Sequence, residues 1–337
     1  MLAAQLDDPS LEAELIGAFV RFPRVTGARR LARALADEVL QLSARIGDPV
    51  RYARVLNEVG WELMRAGRLT AALAASDAAL ASGKVTSSTP VALAHLLQLR
   101  GIMLKALGRL AEARATLDRA AQLVADGRPM MLVLQIEWSC IDELATSGFP
   151  AGSLARIARF VAHADSAGVN NARADARGYL AEAHLLDGRP DAALEAIDAA
   201  LAIASETGLP VDAGWERVRA RALLARGDVG AAMDLIERRL AMRESHPEVV
   251  IARAAVLIAA DAIGEQTRIE ASLNAAADIA EFIAQPGTQA LVHTERAHLA
   301  RALGDAAGWE RELRKALRIY TQMDATGWME RIEQELA

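Results

Sequence analysis

The sequence predicts an all-α protein, a solenoid of two-helix hairpins, and three observations carry that prediction. Glycines punctuate the chain at a nearly fixed period: Gly67, Gly108, Gly148, Gly188, Gly227, Gly264 and Gly304 lie 41, 40, 40, 39, 37 and 40 residues apart. A constant period of this length marks stacked supersecondary units, each burying its apolar face against its neighbours. A second comb, of prolines, runs out of phase with the glycines. Finally, the chain is 53% hydrophobic but only 4% aromatic, and almost every window favours the helical period over strand-like alternation. Alanine supplies much of the apolar count. It is the best helix former, and its small side chain lets helices approach closely.

Taken in order, residues 10–22 and 27–46 read as an irregular first hairpin, broken at Pro23. From Pro49 the regular units begin. Pro49, Pro90, Pro129, Pro210, Pro247 and Pro286 each stand 17–19 residues before a punctuating glycine, room for one helix of about four turns. Proline at a helix start costs little, because the first N–H groups have no intrahelical acceptor. The one missing tooth of the comb is filled by Asn170–Asn171, and asparagine is itself a cap and turn residue. Glycine then permits the left-handed conformation that ends the helix. A second helix follows, read most clearly in GRPDAALEAIDAALAIA, 188–204, and repeated from Gly67, Gly108 and Gly227. The boundaries are therefore a hairpin over 1–48, about seven regular hairpins over 49–325, and a capping helix over 326–337, in one continuous solenoid.

Small residues recur where the two helices of a hairpin must close. Seven residues before the glycines stand Gly60, Gly101, Ile141, Ala181, Ala220, Leu257 and Ala297. Five after them stand Ala72, Ala113, Ser153, Ala193, Ala232, Ile269 and Trp309, and twelve after them alanine recurs at 79, 120, 200, 276 and 316. Phe160, Ile269 and Trp309 depart from the small-residue rule, which predicts altered angles in their units.

These marks resemble the tetratricopeptide repeat over residues 49–336. The period near 40 and the ending RELRKALRIYTQMDATGWMERIEQEL, 311–336, are similar to the longer version in the C-terminal sensor halves of maltose-regulator-type bacterial signalling ATPases. The resemblance implies a right-handed α-solenoid and a binding or sensing role. Two features of those regulators are missing: a G-x-x-x-x-G-K-[ST] phosphate loop, and a separate basic helix-turn-helix module. The chain therefore reads as a sensor segment of a larger regulator or as a free-standing repeat protein.

Charge and motif content narrow the function. With 38 basic and 44 acidic residues the net charge is −6, the signs are interspersed, and no basic stripe suits a phosphate backbone. Arg21, Arg24, Arg29, Arg30 and Arg33 sit beside Asp37 and Glu38 and read as a solvated face. A lone cysteine, Cys140, and the absence of a basic-plus-apolar start point to a cytoplasmic protein. The six histidines and the cysteine make no metal-binding or nucleophile motif, so neither an enzyme nor a cofactor nor a metal is expected. Nucleic acid and membrane are not expected partners.

What is expected is a protein or peptide partner, or a small-molecule signal in the alternative reading as a regulator's sensing domain. In tetratricopeptide-like arrays the first helix of each hairpin lines the concave side. The stripe away from the packed residues Leu56, Val59, Gly60 and Leu63 is Arg54, Asn57, Trp61 and Arg65. Its counterparts are His95 and Gln98, with Lys105; Gln135, Trp138 and Asp142; Asp175 and Glu182; Arg217 and Arg221; and His298, with Thr294 and Arg301. Tryptophan, arginine and amide groups in one stripe supply apolar contact and oriented hydrogen bonds. A ligand with an apolar and an acidic group is expected, anchored at Trp61 and Arg54 or at Arg217 and Arg221.

Overall fold

A computed structural model describes residues 46–337, apart from 66–67, 212, 242–246 and 283–284. The expected N-terminal hairpin and Gly67 lie outside the described residues. Fifteen helices and no strand are found among the described residues.

Contacts divide the chain into two compact units, Met1–Cys140 and Ile141–Ala337. The first contains α1 (Pro49–Arg65), α2 (Leu69–Ala81), α3 (Pro90–Ala106), α4 (Leu110–Leu123) and the first part of α5 (Met130–Thr146). The second takes the rest of α5, then α6 (Ser153–Ala167), α7 (Asn170–Leu186), α8 (Pro190–Thr207), α9 (Ala213–Ala225), α10 (Val229–Ala241), α11 (Pro247–Asp261), α12 (Gln266–Phe282), α13 (Pro286–Ala302), α14 (Ala306–Met323) and α15 (Thr326–Leu336).

The proline comb falls where the helices start. Pro49, Pro90, Pro247 and Pro286 are first residues, Asn170 opens α7, and Pro129 directly precedes α5. Pro210 stands three residues ahead of α9, a small departure. Gly108, Gly148, Gly188, Gly227 and Gly304 all have positive φ, between +72° and +84°. Gly264 does not. There the Asp261 side chain accepts from the Gly264 N–H at 2.9 Å, and this side-chain cap makes the turn without a left-handed residue.

Packing follows the small-residue marks. Ala72, Ala79, Ala113, Ala120, Ala181, Ala193, Ala200, Ala220, Ala232, Ala276, Ala297 and Ala316 are fully buried. A Cβ on Gly101 would lie 2.6 Å from the Leu117 side chain, so any larger residue there would push that leucine aside where α3 and α4 meet. In the second unit the first helices α7, α9, α11 and α13 touch one another in sequence, and the second helices α8, α10 and α12 each pack between successive first helices.

The C-terminal helix α15 packs on α14 and also reaches across its unit. Trp328 stacks on the buried Tyr320 with ring centroids 5.6 Å apart, and its N–H donates to the Ser147 carbonyl at 3.2 Å. Gly148, at φ +83°, faces this contact. A Cβ there would lie 2.6 Å from the Trp328 nitrogen, so only glycine allows the two backbones to meet. Arg331 adds a hydrogen bond of 3.5 Å to the Leu186 carbonyl at the end of α7. No helix among the described residues is long and apolar enough to cross a membrane.

Candidate binding face

In the first unit the candidate residues sit on the row α1, α3 and α5. Arg54 is exposed, Asn57, Trp61, His95 and Trp138 are half-buried, and Gln135 is exposed. Arg65 ends α1, and its side chain lies outside the described residues. Lys105, also on α3, is half-buried. α1 packs on α3, and α3 is tied to α5 by Gln98, whose amide donates to the Gln135 carbonyl at 3.0 Å and to Ser139 Oγ at 3.1 Å. Trp61 and Trp138 therefore come from the two helices flanking α3. Their rings meet 6.2 Å apart and tilted by 52°, so the pair covers a face of α3. Trp61 packs against the apolar core beneath, in which Leu96, Leu99, Met103 and Leu104 are fully buried.

Arg54 precedes Trp61 by seven residues, two helical turns or about 10 Å. Beside Arg54 stands His95. Burial first, and the nearby guanidinium second, pull its imidazole down to about 4. His95 is therefore neutral near pH 7 and offers hydrogen bonds rather than charge. Arg54 itself forms no ion pair with a described residue. Gln98 is 4% exposed and links two helices, so it belongs to the scaffold of the face more than to its surface.

In the second unit the corresponding residues engage one another. Asp142 accepts from Tyr179 Oη at 3.1 Å, and burial followed by Asp142 and Asp175 raises the phenol above its ordinary value. Arg217 lies between Glu182 and Glu248, bonded to the first through Nη2 and to the second at 3.0 Å. Its side chain is 13% exposed and that of Glu182 16%. Burial works against the guanidinium charge, but the two carboxylates more than offset it and hold Arg217 above its ordinary value. Arg221 reaches Glu295 at 3.4 Å, and His298 Nδ1 meets the same carboxylate at 3.0 Å. Burial raises Glu295, yet Arg221 and His298 bring it below the ordinary carboxylate value; burial lowers His298, yet Glu295 brings it above the imidazole value.

Tyr179, Glu248 and Glu295 are partners that the stripe reading did not select. Counted from the glycine that follows each first helix, Trp61, Asp142, Glu182, Arg221 and His298 all stand six residues before it, whereas Arg217 stands ten and Tyr179 and Glu295 nine before theirs. Contacts run from the sixth place of one first helix to the ninth or tenth of a later one, a stagger of one turn. That stagger is the signal a same-register comparison overlooks.

The fold defines a tetratricopeptide-like α-solenoid. A Rap protein complexed with competence and sporulation factor has this fold, with a TM-score of 0.64 and 11% identity over 96% of each chain. The apo form of RapI gives 0.57 at 9% identity, over 93% of this chain and 98% of its own. The apo form of the quorum sensor NprR from B. thuringiensis gives 0.55 at 10% identity, over 98% of this chain and 88% of its own. No family model matches the sequence, and no curated protein matches it.

Proposed function

We propose that the chain is a binding scaffold that takes a peptide or a segment of a partner protein on the α1–α3–α5 face of its first unit. The observation that carries this reading is the Trp61–Trp138 pair over α3, with Arg54 and neutral His95 two turns away. An aromatic pair with one ring packed on the core gives an apolar anchor, and an arginine without an ion-pair partner among the described residues gives an acceptor-seeking one. The Rap protein bound to competence and sporulation factor supports the reading by its fold. The alternative, a sensing domain of a signalling or transcriptional regulator, draws support from the fold of the quorum sensor NprR and from the reach of α15 to the Ser147–Gly148 turn.

The anchors specify a ligand. About 10 Å along the helices matches about three residues of an extended peptide. Peptides selected from a random library on the purified chain should share an apolar or aromatic residue and an acidic residue about three positions apart. Arg54→Ala with Trp61→Ala should abolish their binding while leaving the helical circular dichroism unchanged. Selected peptides without that pair, or equal binding to the double variant, contradict the proposal.

A further inference from the structure

Most charges on the first helices of the second unit are already paired, but one cavity near its C-terminal end keeps its charges apart. The cavity has a volume of about 300 Å³ and is lined by Arg301 of α13, Gly304 and Ala306 at the turn into α14, Trp309 of α14 and Glu335 of α15. Arg301 and Glu335 carry opposite charges on its walls, yet neither forms an ion pair with a described residue. Glu335 lends its field to His298 without touching it. The half-buried indole of Trp309 supplies an apolar wall beside Arg301 and Glu335. A cation and an anion thus flank one open cleft with an indole on its wall, and the space suits something the size of an amino acid or a dipeptide.

We infer that this cavity binds a small zwitterion, its carboxylate held by Arg301, its ammonium by Glu335, and its side chain against the indole of Trp309. Arginine presents a planar fork that matches a carboxylate, and the glutamate accepts from an ammonium group. A free amino acid and a short peptide with both termini free share this chemistry. The site lies within the second unit and is independent of the α1–α3–α5 face.

The test uses the whole purified chain, dialysed free of amino acids. Isothermal titration is run with the standard free L-amino acids and with the dipeptides Gly-Leu and Gly-Phe, each also in N-acetylated and C-amidated form. At least one zwitterion should bind with a Kd of about 1 mM or tighter, and blocking either end should weaken it about tenfold or more. Preference for free amino acids or for dipeptides identifies the source. Arg301→Ala and Glu335→Gln should each weaken the same ligand about tenfold. Trp309→Ala, which removes the indole wall, should weaken it by a smaller factor. The inference is overturned if every zwitterion fails to bind below about 10 mM, if a blocked form binds as well as the free one, or if Arg301→Ala binds like the wild type.

Discussion

The two units carry the same repeat position to opposite ends. Six residues before the punctuating glycine, the first unit has Trp61, which meets Trp138 over α3 and leaves Arg54 without an ion pair among the described residues. The second unit has Glu182, Arg221 and His298 there; Glu182 and Arg221 each meet a charge from another first helix, and His298 meets Glu295 of its own helix. In one unit the face is an apolar anchor beside a cation; in the other it is a set of ion pairs within and between first helices. One repeat can therefore use a single side-chain position either to hold the array together or to hold something else. Whether another first helix supplies a counter-charge one turn away decides which.

Removing a cation from each unit should break this comparison most sharply. Arg217→Ala leaves Glu182 and Glu248 facing each other half-buried, and should cost about 4 kcal/mol in urea unfolding followed on the second unit. Equal stability of that variant would mean these ion pairs are ordinary surface charge.

Acid should separate the units next. His95 is held at about 4, so its contribution is fully present above the ordinary imidazole value of 6.5 and is lost as pH falls toward 4. At about pH 5 the first unit should have lost up to about 2 kcal/mol. His298 has the opposite sign: held above 6.5, it stabilises fully below that value and loses its effect as pH rises through its folded value. Glu295, held below 4.5, contributes above that value and loses its effect in stronger acid. The Glu295–His298 pair is thus fully effective between 4.5 and 6.5. Amide hydrogen exchange should show α3 opening more readily at pH 5 than at pH 7, and His298→Gln should destabilise α13 more at pH 5.5 than at pH 9. Parallel behaviour of both units would remove the distinction.

The smallest effect is expected at Arg54. Arg54→Ala should change stability by no more than about 0.5 kcal/mol, because the side chain is exposed and has no ion pair among the described residues. A loss comparable to that of Arg217→Ala would show that the two faces are built alike.

The helices were legible in the sequence because proline and glycine act within a few residues. Pro49, Pro90, Pro247 and Pro286 open helices by their own geometry, and Gly188 ends one at φ +72°. Gly264 shows the limit, since the nearby Asp261 side chain replaced the left-handed turn. The candidate face was legible only in its ingredients. Trp61 and Trp138 stand out as residues, but they lie 77 positions apart, and their contact depends on how three helices stack. Arg217 and Arg221 read as anchors for an acidic ligand, while the structure places Glu182, Glu248 and Glu295 against them. Spacing along one helix gives the face of a side chain; it does not give the neighbour that the next helix brings one turn away.

The most direct measurement of the claim that the first unit's face is the one left open is photo-crosslinking. A peptide selected on the purified chain, carrying benzoylphenylalanine in place of its apolar anchor, is irradiated in the complex, and the attachment points are mapped by mass spectrometry. The account predicts crosslinks on α1, α3 and the first part of α5 around Trp61, His95 and Trp138, lost in the Arg54→Ala, Trp61→Ala double variant. Crosslinks gathered on α7, α9 and α13 around Glu182, Arg217 and His298 would contradict it.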